Sequence, residues 1–542
     1  MTDGDALLAA ITALPDEDVP RLAYADWLTE HGRAEEGEFI RVQCRLAAVA
    51  PDDPEYPDLL AREEELKLWL GTHAPAPPMK LRGGLAIESG AERWKHARRG
   101  FLGTVELKGS SRARGTFARS VGVALKKLFA RVPTRWLNVG GVSPGQLADV
   151  LQEPIIAQLE RLTIWSHTTS EEQADEIGRI IADAPNLRHL RGFFPDVSFG
   201  ESAIAALSRA EFPRLESFSL NAYRVENAQM RALGRAPWFK NLRDLTIIGG
   251  LTDETFTILV GLSPFPHLHT LSLREQGVGV RAWEAFARST AFPRMKRFDL
   301  ADTDMSRGRM ADLATVKGFT LSVLDLDKCA IGNDGAAALA QAPWADSLRT
   351  LNLKSNNLTV RGVKAIAESP RLANLRRLNL AGNAIGTGGL KAIAGSPHLR
   401  GLSELVLVFR NDSSAAIVTV EHGRNFLTAL DMPDLRHLCL EAIPLGENGA
   451  RLLATHPKFA HLTRLSLPYC GLGDAGAAAL ITSPQLQNLI ELDLSNDGIT
   501  EGALALADPR VMPRLAACRL QGNPLVLLES TKQLTQRRGI HV

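Results

Sequence analysis

The chain has 542 residues, 45% of them apolar and 23% charged, with a formal net charge of +1. That length exceeds one ordinary core and predicts several domains or a repeat array, and the charge balance gives no global pull towards nucleic acid or membrane. No apolar run approaches the roughly eighteen residues of a membrane span, and five scattered cysteines without a CxxC pair argue against a disulfide framework or zinc site and for a reducing cytoplasm.

The charge is nonetheless segregated. Residues 1–78 hold six Lys/Arg against seventeen Asp/Glu, residues 79–135 hold fourteen against three, and the remainder hold 42 against 41. The start, MTDGDALLAAITALPDED, is acidic where a secretory leader is basic. Helices are expected through 1–72, broken at ALPDEDVP and PDDPEYPD. RLAYADWLTEHG puts Leu22, Ala25 and Leu28 near one face with Tyr24 and Trp27 flanking it, and Gly32 is placed to end that helix. A following helix over about 35–49 carries Phe39, Ile40, Cys44 and Leu46. Asp26, His31 and Glu38 read as solvated or capping groups rather than an acid–base cluster. RLAYADWL (21–28) and EFIRVQ (38–43) resemble a bacterial repeat-companion domain, which implies an architecture and no assigned chemistry. A helical cap over the first member of a stacked array is the expected role.

The basic junction contains KHARR (95–99) and SSRARGTFARS (110–120), so Lys95, Arg98, Arg99, Arg112 and Arg114 form a candidate anion site. Nucleic acid calls for interleaved aromatics, which are few here, and equal opposite charge precedes the segment. Docking onto the acidic helices is the better reading. Degenerate strand frames fall at Leu102-x-x-Val105-x-Leu107 and around Trp136–Val139.

From there a frame L-x-x-L-x-L-x-x-N/C-x-L recurs. Its first position falls at Leu159, Leu187, Leu215, Leu242, Leu268, Met295, Leu321, Leu348, Leu375, Leu402, Leu435, Leu462, Leu489 and Leu515. The steps are 26 to 28 residues, with one of 33 where RNDSSAAIVTVEHGRN (410–425) intrudes. The last two leucines of LxxLxL are two apart and share one face of a short strand. Asn356, Asn383, Cys329, Cys470 and Asn523 occupy a position suited to bonding backbone groups where the strand bends away. Each strand leads into an alanine-rich helical stretch stopped by proline, and no single repeat can bury its own apolar face. This pattern resembles the leucine-rich-repeat family, specifically its ribonuclease-inhibitor-like class. The resemblance implies an α/β solenoid, a horseshoe with parallel strands concave and helices convex, following a small all-α N-terminal module. The expected domains are a helical capping module at 1–78, a basic junction with the first degenerate repeats at 79–135, and the solenoid with its C-terminal cap at 136–542. In that class the concave face commonly binds protein, and a related branch activates small GTPases.

Candidate chemistry is sparse. GLGDAG (471–476) matches a dinucleotide-binding fingerprint, yet Gly473 and Gly476 lie 11 and 14 residues beyond their repeat's first leucine, as glycines do in several other repeats. It is read as a turn into the outer helix, and no cofactor is expected. No P-loop, HExxH or GxSxG occurs, and His189, His269 and His437 sit on separate inner strands, so neither metal nor catalysis is expected. The better material is the concave face: Arg188, Arg243, Lys296, Arg349, Arg376 and Arg436 after the first leucine, and the ladder Asp299, Asp325, Asn352, Asn379. Trp165, Tyr223, Phe409 and Tyr469 are the aromatic anchors. The expectation is a cytoplasmic, monomeric, non-enzymatic scaffold for a protein partner. GTPase regulation and anion or nucleic-acid binding through 79–135 are the alternatives.

Overall fold

Helix Val19–Glu30 buries Arg21, Tyr24, Ala25 and Leu28, a stripe at helical spacing, and leaves Leu22 exposed. Tyr24, rather than the expected Leu22, joins Ile11, Ile40 and Cys44 in the core, because Leu22 falls outside that stripe. The helix stops where Gly32 takes φ 75°, a conformation glycine adopts without steric cost. Helix Ala34–Ala48 turns Phe39 and Val42 towards Leu66 and Leu70 of Tyr56–His73. The three acid–base candidates have mundane partners. Asp26 pairs with Arg41 at 2.7 Å, Glu38 with Arg62 at 2.7 Å, and His31 stacks on Trp27 at 4.2 Å.

The computed structural model describes residues 3–14, 17–49, 55–73, 85–86, 104–108, 114–129, 135–165, 170–221, 225–262, 264–409, 418–508, 510–524 and 540–541. The chain divides into two units, Met1–Phe298 and Asp299–Val542. In the first, Thr104–Lys108, Trp136–Gly140, Arg161–Trp165, Gly192–Asp196, Ser217–Asn221, Asp244–Ile248 and Thr270–Arg274 pair in parallel, each with its successor. Leu85–Ala86 pairs antiparallel with the first of them. Both degenerate frames are therefore strands, with Val105, Leu107, Leu137 and Val139 buried. Among the described residues no helix is long and apolar enough to cross a membrane.

One repeat is in a different frame from the expected one. Arg161 pairs with Gly192 and Leu162 with Phe193, which makes Leu190 the first leucine of that repeat. Leu187 belongs to the 3₁₀ turn Pro185–Leu187 before it. NLRHLRGF offers leucines three apart, and the turn after Pro185 claims the first.

In the second unit Val323–Asp325, Thr350–Asn352, Arg377–Asn379, Glu404–Val408, His437–Glu441, Arg464–Ser466, Glu491–Asp493, Ala517–Arg519 and Ile540–His541 pair in parallel order. Leucines at offsets 3 and 5 from each first leucine are buried, as at Leu351 and Leu353, while offsets 2 and 4 face outward. Helices such as Val360–Ala367 and Gly473–Ile481 form the other layer. The GLGDAG stretch is the expected turn: Gly473 has φ 61° and opens the helix. A Cβ on Gly476 would come within 3.1 Å of Ala450 and Leu472.

Three offsets explain how each repeat closes on the next. At offset 4, Asp299, Asp325, Asn352, Asn379 and Asp493 each accept the N–H two residues on, for example Ala381 to Asn379 at 2.9 Å. That side-chain bond bends the chain after three strand residues. At offset 7 the backbone is left-handed in repeat after repeat, through Glu275, Asp302, Lys328, Ser355, Gly382, Ala442, Tyr469 and Asn496. At offset 8 the side chain donates to the offset-5 carbonyl of the preceding repeat. Asn356 reaches Leu326, Asn383 reaches Leu353 at 2.8 Å and Asn523 reaches Leu494 at 2.7 Å. Cys329 does the same to Leu300, Cys470 to Leu440, and Gln276 to Ile247.

Candidate partner-binding surface

Outward positions of a solenoid strand serve no core, so large side chains there need another reason. In the first unit Trp136, Arg161, Phe194 and Trp165 occupy such positions, and all four are partly exposed. Arg161 lies 5.3 Å from the Trp136 ring and 5.8 Å from Phe194, and these two rings are 5.6 Å apart. Trp136 Nε1 donates to Thr163 at 2.9 Å, which fixes the indole. Trp165 packs over its strand neighbour Gly140, where a Cβ would stand 2.2 Å from the ring. Gly192 makes the same room for Phe194, with 2.7 Å to an added Cβ. Two strand glycines thus set aromatic rings down on the sheet as a platform.

In the second unit the outward offset-2 row reads Arg377, Glu404, His437, Arg464, Glu491. Glu404 has His437 Nδ1 at 3.4 Å, Arg464 at 3.6 Å and Arg377 at 3.7 Å. Burial alone raises a carboxyl's pKa; His437, Arg464 and Arg377 outweigh it and draw Glu404 down to about 2. Glu491 is paired with Arg519 at 2.5 Å. At offset 4 beside this cluster sits Cys439, whose thiol burial pushes up to about 11, far from a thiolate nucleophile.

The residues expected to bind a partner divide into distinct groups. Arg188 is not on a strand: with the frame at Leu190 it falls in the preceding turn, exposed and paired with Glu211 at 2.9 Å, and His189 moves with it. Arg243, Lys296, Arg349, Arg376 and Arg436 are at offset 1, the amino-end rim of the sheet rather than its face. Their N–H groups bond the preceding repeat, as Arg349 does to Ser322 at 2.8 Å. Asp299, Asp325, Asn352 and Asn379 are outward, but the turn bond described above accounts for their recurrence. Asn352 also donates to Asp325 at 2.9 Å. Tyr469 is 57% exposed at the left-handed offset 7, with φ 61°, where glycine or a small residue is cheapest. Phe409 shares that offset, partly exposed. Tyr223, Lys95, Arg98, Arg99, Arg112 and the insertion residues 410–417 lie outside the described residues, and Arg114 only opens the helix Arg114–Phe129.

Tyr469→Gly relieves a bulky left-handed residue while removing an exposed ring. Thermal and urea unfolding should show stability unchanged or raised by up to about 1 kcal/mol. A loss beyond about 1 kcal/mol would mean that the ring is structural.

Trp136 and Phe194 are absent from the sequence-derived surface. The Leu187 frame hid Phe194 from offset 4, and the aromatic–glycine pairing across strands is visible only once the register is known.

A family model described as Leucine Rich repeat matches residues 319–340, 347–367, 371–394 and 460–480. No curated protein matches the chain. Among solved structures, the Rad7–Elc1 complex of yeast is similar at 15% identity and TM-score 0.40, over 76% of this chain and 89% of that one. A protein of Bacteroides fragilis is similar at 18% identity and TM-score 0.34, over 59% and 90% respectively. An internalin of Listeria monocytogenes is similar at 16% identity and TM-score 0.33, over 74% and 93%. The matched segments are leucine-rich repeats, with the buried leucines and the backward-pointing donors, and the fold is a leucine-rich-repeat solenoid.

Proposed function

We propose that this chain is a non-enzymatic scaffold of the ribonuclease-inhibitor-like class, binding a protein partner through the exposed strand face, the concave side of such a solenoid. The observation that carries the reading is the platform of Trp136, Trp165, Phe194 and Arg161 on outward strand positions, given room by Gly140 and Gly192. Tryptophan and arginine dominate binding hot spots because they bury large area and retain hydrogen-bonding capacity. A scaffold of this kind works in the cytoplasm as a monomer, with residues 1–78 as a repeat-companion cap, 79–135 as the junction and 136–542 as the array.

The test is photo-crosslinking in the native cell from a reactive residue placed at Asp196, the exposed strand neighbour of Trp165. A discrete cross-linked protein is expected. Its purified form should bind Trp136→Ala/Trp165→Ala at least about tenfold more weakly, with unfolding unchanged. Equal affinity for the double variant would remove the strand face from the binding site.

A further inference from the structure

One edge of the strands in the second unit is rich in arginine. Arginines gather at the amino ends: Arg349, Arg376 and Arg436 at offset 1, Arg377 and Arg464 at offset 2. Carboxylates towards the carboxy ends stand mainly on the flanking repeats, where Lys354 pairs with Asp327 at 3.5 Å and Arg519 with Asp493 at 3.7 Å. Glu404 holds Arg377 and Arg464 down on the sheet, and these two form a floor. The rim above is different. Arg376 spends one N–H on the Gly401 carbonyl at 2.7 Å, and Arg349 reaches only the Leu348 and Asn374 carbonyls, at 3.3 and 3.5 Å. Gly401 itself leaves space for that guanidinium, since a Cβ there would lie 2.5 Å from Arg376 Nη1. Among the described residues none of Arg349, Arg376 and Arg436 pairs with a carboxylate, so most of their five N–H donors each remain available. Arg349 carries its charge at a cost: burial, then the neighbouring Arg376, lowers its pKa. A bound anion would relieve that crowding.

We propose that the amino-end rim formed by Arg349, Arg376 and Arg436 docks an acidic segment of a partner protein. This rests on the scaffold reading above and adds the chemistry of what is bound. Three strand steps separate Arg349 from Arg436, about 14 Å, which about four extended residues span. Guanidinium forks match carboxylates two bonds at a time. A nucleic acid fits less well. The basic row is interrupted at Ser403 and gives way to Thr463, Ile490 and Ala516 in the following repeats. A continuous phosphate chain would meet both the interruption and the end of the row.

Fluorescence anisotropy with the whole chain tests this, using three labelled probes: a Gly-Ser peptide carrying four consecutive glutamates, its lysine counterpart, and an oligothymidylate. The glutamate peptide should bind, and Arg349→Glu/Arg376→Glu/Arg436→Glu should weaken it about tenfold or more while gaining affinity for the lysine peptide. The Arg→Gln triple, with folding checked by circular dichroism, should show the same loss and decides the matter where the reversal does not fold. Absent glutamate binding, binding equal in wild type and triple variant, or tighter oligothymidylate binding lost in the same variant would each overturn the proposal. If the cross-linked partner still depends on Trp136 and Trp165 while the glutamate peptide fails, the scaffold reading stands and only the acidic-segment assignment falls.

Discussion

Asp497→Asn should make the chain more stable at pH 7, by roughly 2–3 kcal/mol, and flatten the pH dependence of its urea midpoint. Asp497 occupies offset 8, where Asn356, Asn383 and Asn523 accept amide N–H groups through one atom and donate a carbonyl bond through the other. The acceptor half survives: Asp497 Oδ1 takes the N–H of Cys470 at 2.8 Å and of Leu472 at 3.4 Å. The donor half is missing. Oδ2 is buried with no partner, on the side where the asparagines meet the previous repeat's offset-5 carbonyl, which in this repeat belongs to Leu467. Burial raises the pKa of Asp497 from 3.8 to about 6 against the pull of those N–H groups, and Asp493 adds to the rise. A carboxyl with a raised folded-state pKa favours folding fully below its unfolded value of 3.8 and loses that contribution as pH climbs through about 6. Wild type should therefore gain stability between pH 7 and pH 4.5 from this group, and the asparagine variant should not. Urea melts at three or four pH values compare the two; parallel curves would refute the assignment.

Asn383→Ala should be the most damaging single truncation of a polar residue, costing on the order of 3–5 kcal/mol. Asn383 is 1% exposed. Its Oδ1 accepts from Asn356 and Leu358, both at 3.0 Å, and its Nδ2 donates to Leu353, Leu380 and Ala381. Alanine strands these backbone groups where water has no access, the Ala381 carbonyl excepted, since it also accepts the Ser355 N–H at 2.8 Å. Asn383→Asp is the informative companion. It keeps the two acceptor bonds and loses the donors, reproducing Asp497 at a second site. It should be intermediate at pH 7 and recover on acidification. Hydrogen exchange at Asn356 and Leu358 reads the damage locally. Unchanged protection there in the alanine variant would contradict the role given to the side chain.

Much of the scaffold is legible in the residues because it depends on local spacing. The buried leucines, the Asn/Cys donors and the turn glycines each report a fixed distance from the first leucine. What escaped is what depends on neighbours. Leu187 and Leu190 are both plausible frame leucines until the 3₁₀ turn takes one of them. The offset-1 arginines look like face residues until the register shows offsets 2 and 4 pointing outward and offset 1 on the rim. The Asp/Asn ladder suggests recognition until each carboxylate or amide is seen closing its own turn. The platform needs Gly140 beside Trp165, an adjacency between two strands, and the corrected frame that puts Phe194 at an outward position.

The offset-8 bonds all point the same way along the array. Asn383 completes the repeat before its own: two amides and one carbonyl of that repeat are unsatisfied until Asn383 arrives. The reverse debt is small, because a side chain deprived of its partners at a free end can turn to water. Damage to one repeat is therefore inherited unequally, heavily by the neighbour that precedes it and lightly by the one that follows. A break in such an array should unravel towards the amino terminus, giving a stack of identical parts a direction of failure.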